Sequence, residues 1–164
     1  MNTTNVLYIS YDGMTDPLGQ SQVIPYLAEL SKKGYSIWIL SAEKPVNFAQ
    51  NKEAIKSLMH KHGLTWMPLM YTKKPPVLST IIDVFKLRKQ VRKLCRNTRI
   101  DIVHCRSYIS PLAAQIAIKK HNAKFIFDMR GFWADERVDG NIWNLSNPVL
   151  KRVYRYFKKK EKQY

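Results

Sequence analysis

The feature that most constrains the fold is an alternation of short apolar runs with longer amphipathic segments. Runs such as Val6–Ser10 and Tyr35–Ser41 are bounded by turn residues, which predicts buried strands. Between such runs, apolar residues recur at intervals of three and four, as in residues 79–98, which predicts helices. Right-handed crossovers of this kind build a parallel sheet covered on both faces. The sequence therefore predicts a three-layer α/β/α Rossmann-like domain with a mostly parallel, twisted sheet.

The predicted elements follow one another without a segment that would separate two domains. The predicted strands are residues 6–10, 35–41, 64–69, 101–105 and 124–128. The predicted helices are a first one from about Gln20 to Gly34, followed by residues 51–62, 79–98, 110–121 and 147–162. A chain of 164 residues has the size of one compact domain. We therefore expect residues 1–164 to form a single domain.

The formal net charge of +16 is unevenly distributed along the chain. The segments Lys86–Arg99 and Lys151–Tyr164 hold half of the 28 basic residues. They predict basic helices that are available to phosphates, anionic lipid or nucleic acid. No apolar run approaches the roughly 20 residues of a membrane-spanning helix, and the N-terminus lacks the pattern of a secretory signal. We expect a cytoplasmic protein that can lie peripherally at the inner face of the membrane.

The histidines and cysteines do not form a recognisable metal or nucleophile motif. Cys95 and Cys105 fall in different predicted elements, which favours reduced thiols over a disulfide. The four histidines show no ligand spacing with these thiols, so no metal is expected. No Ser-His-Asp or Cys-His arrangement is visible at a usable spacing. Any reaction that this protein catalyses is therefore expected to rely on substrate binding and on charge.

Three loops that follow predicted strands are the candidate site, because ligands of such sheets bind beyond the carboxyl ends of the strands. The first loop, Tyr11–Gly19, contains Asp12, Gly13 and Gly19 and leads into Gln20. Glycines permit close backbone approach, and amides at a helix start suit a phosphate. The glycine spacing is not that of a dinucleotide-binding fingerprint. Ordinary turn chemistry explains the same residues equally well.

The second loop follows the predicted strand that ends at Cys105. It carries His104, Arg106 and Ser107. A histidine and an arginine at the end of a strand can bind a sugar hydroxyl or a phosphate. The alternative is a buried histidine that is satisfied by bonds to the backbone.

The third loop follows the predicted strand that ends at Asp128. Residues 128–143 contain six charged residues, two glycines and two tryptophans. The candidate functional residues of this loop are Asp128, Arg130, Trp133, Asp135, Glu136 and Arg137. The alternative is a salt-bridged loop that is pinned by Trp133 and Trp143. Because an exposed ion pair contributes only about 0–1 kcal/mol, stability alone is a weak reason for so many charges, and function is favoured.

Several stretches resemble the N-terminal half of the family 4 glycosyltransferases, which have the GT-B fold. The opening VLYISYDGMTDPLGQSQVIPYLAELSKKGYSIWILS resembles the start of that family, and RIDIVHCRS is similar to its "PDIVHAHS" element. The spacing through FIFDMRGFWADERVDG matches the strand and loop that follow. The resemblance spans about residues 5–160.

This resemblance implies one half of a two-domain enzyme that transfers a sugar, with retention, from a nucleotide-sugar donor to a glycan or lipid-linked acceptor. The chain would be the acceptor-binding domain, truncated before the domain that binds most of the donor and inactive alone. Glycan or polysaccharide biosynthesis would be its setting. No cofactor or metal is implied, because the nucleotide sugar is a substrate.

The resemblance also implies roles for the residues of the three loops. Gly13, Gly19 and Gln20 would approach the donor diphosphate. Asp128, Arg130 and Glu136 would act at the reacting centre, and the acceptor would be bound by Asp12, His104, Arg106, Ser107, Trp133, Asp135 and Arg137. Many family members have T-x-H where this chain has Asp128-Met129-Arg130, so the role of that histidine does not carry over. Arg130 cannot act as a base, but it can bind the sugar, the acceptor or the leaving phosphate.

Two other classes of function remain open at this level. A complete Rossmann-like domain could bind a small molecule without a second domain. The basic helices could instead bind nucleic acid, although they lack interleaved stacking aromatics and a recognition motif.

Overall fold

The computed structural model describes residues 3–75 and 77–164. Its strands are β1 (Thr4–Ser10), β2 (Tyr35–Glu43), β3 (Thr65–Met70), β4 (Ile102–Arg106) and β5 (Lys124–Asp128). A π-helical turn, Gly19–Val23, leads into the first α-helix. The α-helices are α1 (Ile24–Lys32), α2 (Pro45–Lys61), α3 (Leu78–Asn97), α4 (Pro111–His121), α5 (Trp133–Asp139) and α6 (Pro148–Glu161).

The five strands form one sheet in the order β3-β2-β1-β4-β5, and every neighbouring pair is parallel. The chain builds outward from β1 in one direction and then returns to build outward in the other. The order therefore reverses between β1 and β4. This architecture confirms the predicted Rossmann-like fold, in which ligands bind in the crevice at the carboxyl edge of the two strands where the order reverses.

Alternate residues of the strands supply two cores, one on each face of the sheet. Leu7 and Ile9 of β1 belong to the core that α3 and α4 cover. Val6 and Tyr8 belong to the core that α1 and α2 cover. A third, smaller cluster joins Tyr108 to residues of α5 and α6. This third cluster holds the last two helices against the carboxyl edge.

The structure corrects the predicted start of one helix and shows another helix where a loop was predicted. Helix α2 begins at Pro45 and not at residue 51, because proline is well suited to the first turn of a helix. Residues 133–139 were predicted to be loop but form α5. Asp135 and Glu136 lie in its first turn, where negative charge favours the helix dipole.

Two further expectations bear on the cysteines and the membrane. Cys95 and Cys105 are both buried and free. None of the helices in the described residues combines the length and the apolar character that a bilayer crossing requires.

Candidate active site

The carboxyl edge of the sheet brings the three loops together. The register places Ser10 of β1 beside Arg106 of β4, and Arg106 beside Asp128 of β5. Asp12 lies two residues beyond β1, and Gln22 approaches from the π-helical turn. The prediction that these loops share one edge is therefore confirmed.

Arg106 lies at the centre of this crevice. Its side chain is 6% exposed, with Nε at 3.8 Å from Asp12 Oδ2 and Nη1 at 3.6 Å from Asp128 Oδ2. Nη2 donates a hydrogen bond of 3.3 Å to Gln22 Oε1. The buried Nε has no hydrogen-bond acceptor among the described residues. Because an unsatisfied buried charged donor is costly, this crevice is suited to a ligand that presents an oxygen to Arg106.

Arg130 supplies a second guanidinium to the same crevice. Its Nη2 donates to Gln22 Oε1 at 3.0 Å, so one amide oxygen accepts from both arginines. Its Nη1 lies 3.9 Å from Asp128 Oδ1, and its side chain is 48% exposed. Asp128 thus stands between a buried and an accessible guanidinium. Two such groups at one edge favour binding of a phosphate or another anion.

His104 lies deeper on the same strand and is almost fully buried. Its ring centre is 4.8 Å from that of Tyr8 and 6.0 Å from that of Tyr26. Burial lowers the pKa of His104 although Asp128 opposes the shift, and burial raises the pKa of Tyr8 to about 12. The burial matches the alternative of a buried histidine, but the ring packs against aromatic side chains and, among the described residues, forms no hydrogen bond to the backbone. Its role in binding the acceptor stays a prediction.

The loop after β1 is held by an internal carboxylate. Glu43, at the end of β2, is fully buried and accepts hydrogen bonds from the backbone amides of Met14 (2.8 Å) and Thr15 (3.1 Å). The hydroxyls of Thr15 and Ser41 also donate to it, each at 2.5 Å. A side chain at Gly13 would collide with the Glu43 carboxylate. The amides of Met14 and Thr15 are therefore already occupied by an anion of the chain itself.

The packing of this loop also explains the second glycine. A side chain at Gly19 would collide with the backbone of Gly13 and Met14. The backbone amide of Gln20 donates to the carbonyl of Asp16 at 3.1 Å. These glycines thus have a structural reason that needs no ligand, and the contact of Gly13, Gly19 and Gln20 with a donor phosphate stays a prediction.

Helix α5 is joined to α6 by a network of charges. Asp135 accepts hydrogen bonds from Lys158 (2.7 Å) and Tyr154 (2.8 Å), which lower the pKa of Asp135. Lys158 also contacts Glu161 at 2.7 Å, and Glu161 accepts from the Tyr108 hydroxyl at 3.1 Å. Asp135 therefore holds α5 against α6. The alternative of a salt-bridged segment describes this residue better than a contact with the acceptor.

The other residues predicted in this segment have different surroundings. Trp133 packs on Phe157 with ring centres 4.9 Å apart, and the Arg137 guanidinium lies 5.3 Å from the Trp133 ring centre. Glu136 is exposed and lies against Gly131. Among the described residues, Glu136 makes no ion pair or hydrogen bond with Arg106 or Arg130. The structure thus groups Asp128 and Arg130 with Arg106, but it does not add Glu136 to that group.

A cavity of about 870 Å³ lies beside the crevice, between α3, α5 and α6. Four residues that were predicted to bind the acceptor line it: Asp12, Ser107, Trp133 and Arg137. Asp12 also lies beside Arg106, so the cavity and the crevice meet at this residue. The site has two adjoining parts, one charged and one largely apolar.

Sequence reasoning missed Gln22 and Glu43. Gln22 carries no signal, since a polar residue on an amphipathic helix is ordinary. Glu43 does carry one, because an acid directly after an apolar run is the pattern that identified Asp128. The predicted strand ended two residues too early for Glu43 to be noticed.

A comparison with known families decides the identity of the domain. The sequence model of Glycosyltransferase Family 4 matches residues 19–162. The chain belongs to glycosyltransferase family 4. The resemblance seen in the sequence is thereby confirmed, and the crevice and cavity lie in a glycosyltransferase domain.

Solved structures share the fold of this family 4 domain. The C-terminal domain of a hydrogenase from Pyrococcus furiosus has a TM-score of 0.56 at 15% identity, covering 79% of this chain and 94% of that one. A glycosyltransferase from Rickettsia africae has a TM-score of 0.51 at 18% identity, covering 77% of this chain and 30% of that one.

A third structure is UGT73P12 of Glycyrrhiza uralensis, solved with glycyrrhetinic acid 3-O-monoglucuronide. Its TM-score is 0.51 at 13% identity, and the match covers 84% of this chain and 30% of that one. The family 4 domain thus spans about a third of the length of these last two proteins. Identities this low establish the fold alone. The search of the curated proteins gives no match.

Replacing Glu43 with glutamine should destabilise the domain by about 2–3 kcal/mol, because buried amide and hydroxyl donors lose a charged acceptor. Urea unfolding monitored by circular dichroism measures the change. Glu53→Gln on the exposed face of α2 is the control and should change the free energy of unfolding by less than about 0.5 kcal/mol. Equal effects of the two variants would contradict the role of Glu43.

The buried His104 should make stability depend on pH. Its pKa is lowered in the folded state, so the unfolded chain binds more protons as the pH falls through about 6.5. The free energy of unfolding should therefore decrease between pH 7.5 and pH 5.5, and His104→Asn should reduce that decrease. His60→Asn, at an exposed position, should keep the wild-type dependence. An unchanged dependence in His104→Asn would refute the assignment.

Proposed function

We propose that this domain binds the acceptor in a retaining glycosyltransferase that uses a nucleotide-sugar donor. Membership of the family and the Rossmann-like fold support a transferase. The observation that carries the proposal is the buried Arg106, whose Nε has no hydrogen-bond acceptor in the part of the chain that the structure describes. A domain with no ligand for this crevice would have little reason to keep that donor out of water.

The crevice provides charge for the transfer. The acceptor hydroxyl attacks the anomeric carbon, and the bond from that carbon to the donor phosphate oxygen breaks. The departing phosphate takes the proton of the hydroxyl, so no protein base is required. Arg106 and Arg130 stabilise the negative charge that develops on the phosphate. Asp12 and Asp128 fix the orientation of Arg106, which is close to both carboxylates.

The rest of the donor is bound by a second domain of the same protein, which faces the carboxyl edge across a cleft. The half-exposed Arg130 supports this arrangement, because its guanidinium is accessible from outside the domain. The donor enters as a substrate, and no metal or cofactor takes part.

The enzyme works in the cytoplasm at the inner face of the membrane, where glycan precursors are assembled. The uneven distribution of basic residues supports this location. Residues 86–99 form the second half of α3 and the two residues after it, and they include basic side chains but no acid. Anionic lipid attracts such a segment by about 1 kcal/mol per well-placed cation.

Transfer of labelled sugar from a panel of nucleotide sugars to a lipid and glycan extract tests the proposal, with the configuration of the product determined by NMR. It should be made on the longest form of the protein that the source gene encodes. Retention of configuration is expected. Inversion, or no transfer from any donor, would contradict the proposed function.

Replacing crevice arginines should lower turnover while the fold persists. Arg106→Lys and Arg130→Ala should each reduce kcat by about 100-fold or more, because a preorganised donor to the leaving group is lost. Arg155→Gln is the matched control, since its side chain is exposed on α6 and is not among the residues that line the cavity, and it should retain full activity. Thermal unfolding checks that each variant is folded. Unchanged turnover in Arg130→Ala would show that Arg130 only supports the structure.

A further inference from the structure

We propose that the cavity between α3, α5 and α6 binds an acceptor in which an apolar chain carries a phosphate or diphosphate group. This inference rests on the proposed function and narrows its acceptor to one whose reacting hydroxyl is carried on a lipid phosphate or diphosphate. It depends on three observations, which concern the walls of the cavity, its charge and its position.

The walls of the cavity are suited to an apolar chain. Its volume of about 870 Å³ lies within the range of small-molecule sites, roughly 300–1,000 Å³. Aromatic side chains dominate one side, where Trp133, Trp143 and Phe157 pack edge to face. A free sugar would leave this surface poorly matched, because its hydroxyls need hydrogen-bond partners. A hydrocarbon chain needs none.

The charge of the cavity selects an anion. The cations that line it are Lys73, Arg88, Arg137 and Arg152. Asp12 is the one acid among the described residues that line it. A neutral lipid would gain nothing from four cations, whereas a phosphate or diphosphate can accept hydrogen bonds from guanidinium groups in pairs. Apolar walls and a cationic lining together describe an anionic amphiphile.

The position of the cavity connects it to the reacting centre and to solvent. Asp12 and Ser107 line it at the carboxyl edge, where Asp12 is also 3.8 Å from Arg106. At the outside, large apolar side chains that line the cavity are left exposed: Ile81, Phe85, Ile142, Val149 and Tyr156. A contiguous exposed apolar patch usually marks an interaction site. A long lipid chain could leave along this patch toward a membrane while its phosphate stays in the cavity.

Direct binding to the 164-residue chain tests the inference without a donor or any sugar transfer. The probe is radiolabelled farnesyl phosphate below its micellar concentration, measured by equilibrium dialysis. Farnesol supplies the chain without the charge, and inorganic phosphate supplies the charge without the chain. Farnesyl phosphate should bind saturably, at one molecule per chain. It should bind at least about tenfold more tightly than either control, because both parts of the site are then used.

Two pairs of variants distinguish the cavity from the general surface. Phe85 lines the cavity and Ile82 does not, although both are exposed apolar residues of α3. Arg152 lines it and Arg155, an exposed arginine on the same helix, does not. Phe85→Asp and Arg152→Glu should each weaken binding about tenfold or more, as expected for loss of an apolar contact with the chain or of a charged hydrogen bond to the phosphate. Ile82→Asp and Arg155→Glu should change it less than about twofold.

The outcomes separate this inference from the proposed function. Absence of saturable binding, or equal loss of binding in both members of each pair, would overturn the inference. Equal loss would indicate that the general protein surface, and not the cavity, binds the lipid. Sugar transfer to a water-soluble acceptor that is unaffected by Phe85→Asp would also overturn it, while the proposed function would stand. Saturable binding with the expected variant pattern but no transfer from any nucleotide sugar would instead remove the proposed function.

Discussion

The parallel pairing of β1 with β4 is the constraint on which the rest of the structure depends. It joins the two halves of the sheet, and the strand order reverses there. Burial of Leu7, Ile9 and Val103 fixes the register of this pair, because a slip of one residue would turn these side chains toward the opposite face. The same register sets Arg106 at the last position of β4, beside Ser10 and beyond the apolar core. Hydrophobic burial thus determines where the charged residues emerge.

A buried guanidinium is costly, and the surroundings of Arg106 offset that cost only in part. Asp12 and Asp128 supply opposite charge from two different loops, and Gln22 supplies a neutral acceptor. Among the described residues, Nε of Arg106 still has no hydrogen-bond acceptor. Breaking such a buried group of charges is far more destabilising than removing an exposed pair, so the arrangement is held in place before a ligand arrives. The cavity, which has apolar walls and four lining cations, meets this crevice at Asp12, so the two parts of the site adjoin.

The sequence predicted much of the fold and part of the site, for identifiable reasons. Strands and long helices were recognisable because burial imposes periods of two and of three to four residues on them. Helix α5 was missed because it is short and dense in charge, and its stability comes from contacts such as Lys158 with Asp135 that join residues distant in the chain. Gln22 was missed because only the folded chain brings it to both arginines. The pattern of charges also does not reveal that the Asp135 carboxylate accepts hydrogen bonds from Lys158 and Tyr154, and its contact with the acceptor stays a prediction.

The sequence by itself determined the class of fold and the edge of the sheet where chemistry can occur, because the apolar pattern and the polar residues that interrupt it are local properties. Only the tertiary structure decided which polar side chains at that edge are already hydrogen-bonded or packed within the domain and which can still bind a ligand. His104, Glu43 and Arg106 all lie at or near strand ends. His104 is nevertheless packed against aromatic rings, Glu43 holds the backbone of a loop, and Nε of Arg106 has no hydrogen-bond acceptor among the described residues. The physical reason is that desolvation and hydrogen-bond satisfaction depend on neighbours from distant parts of the chain, and no local pattern specifies those neighbours.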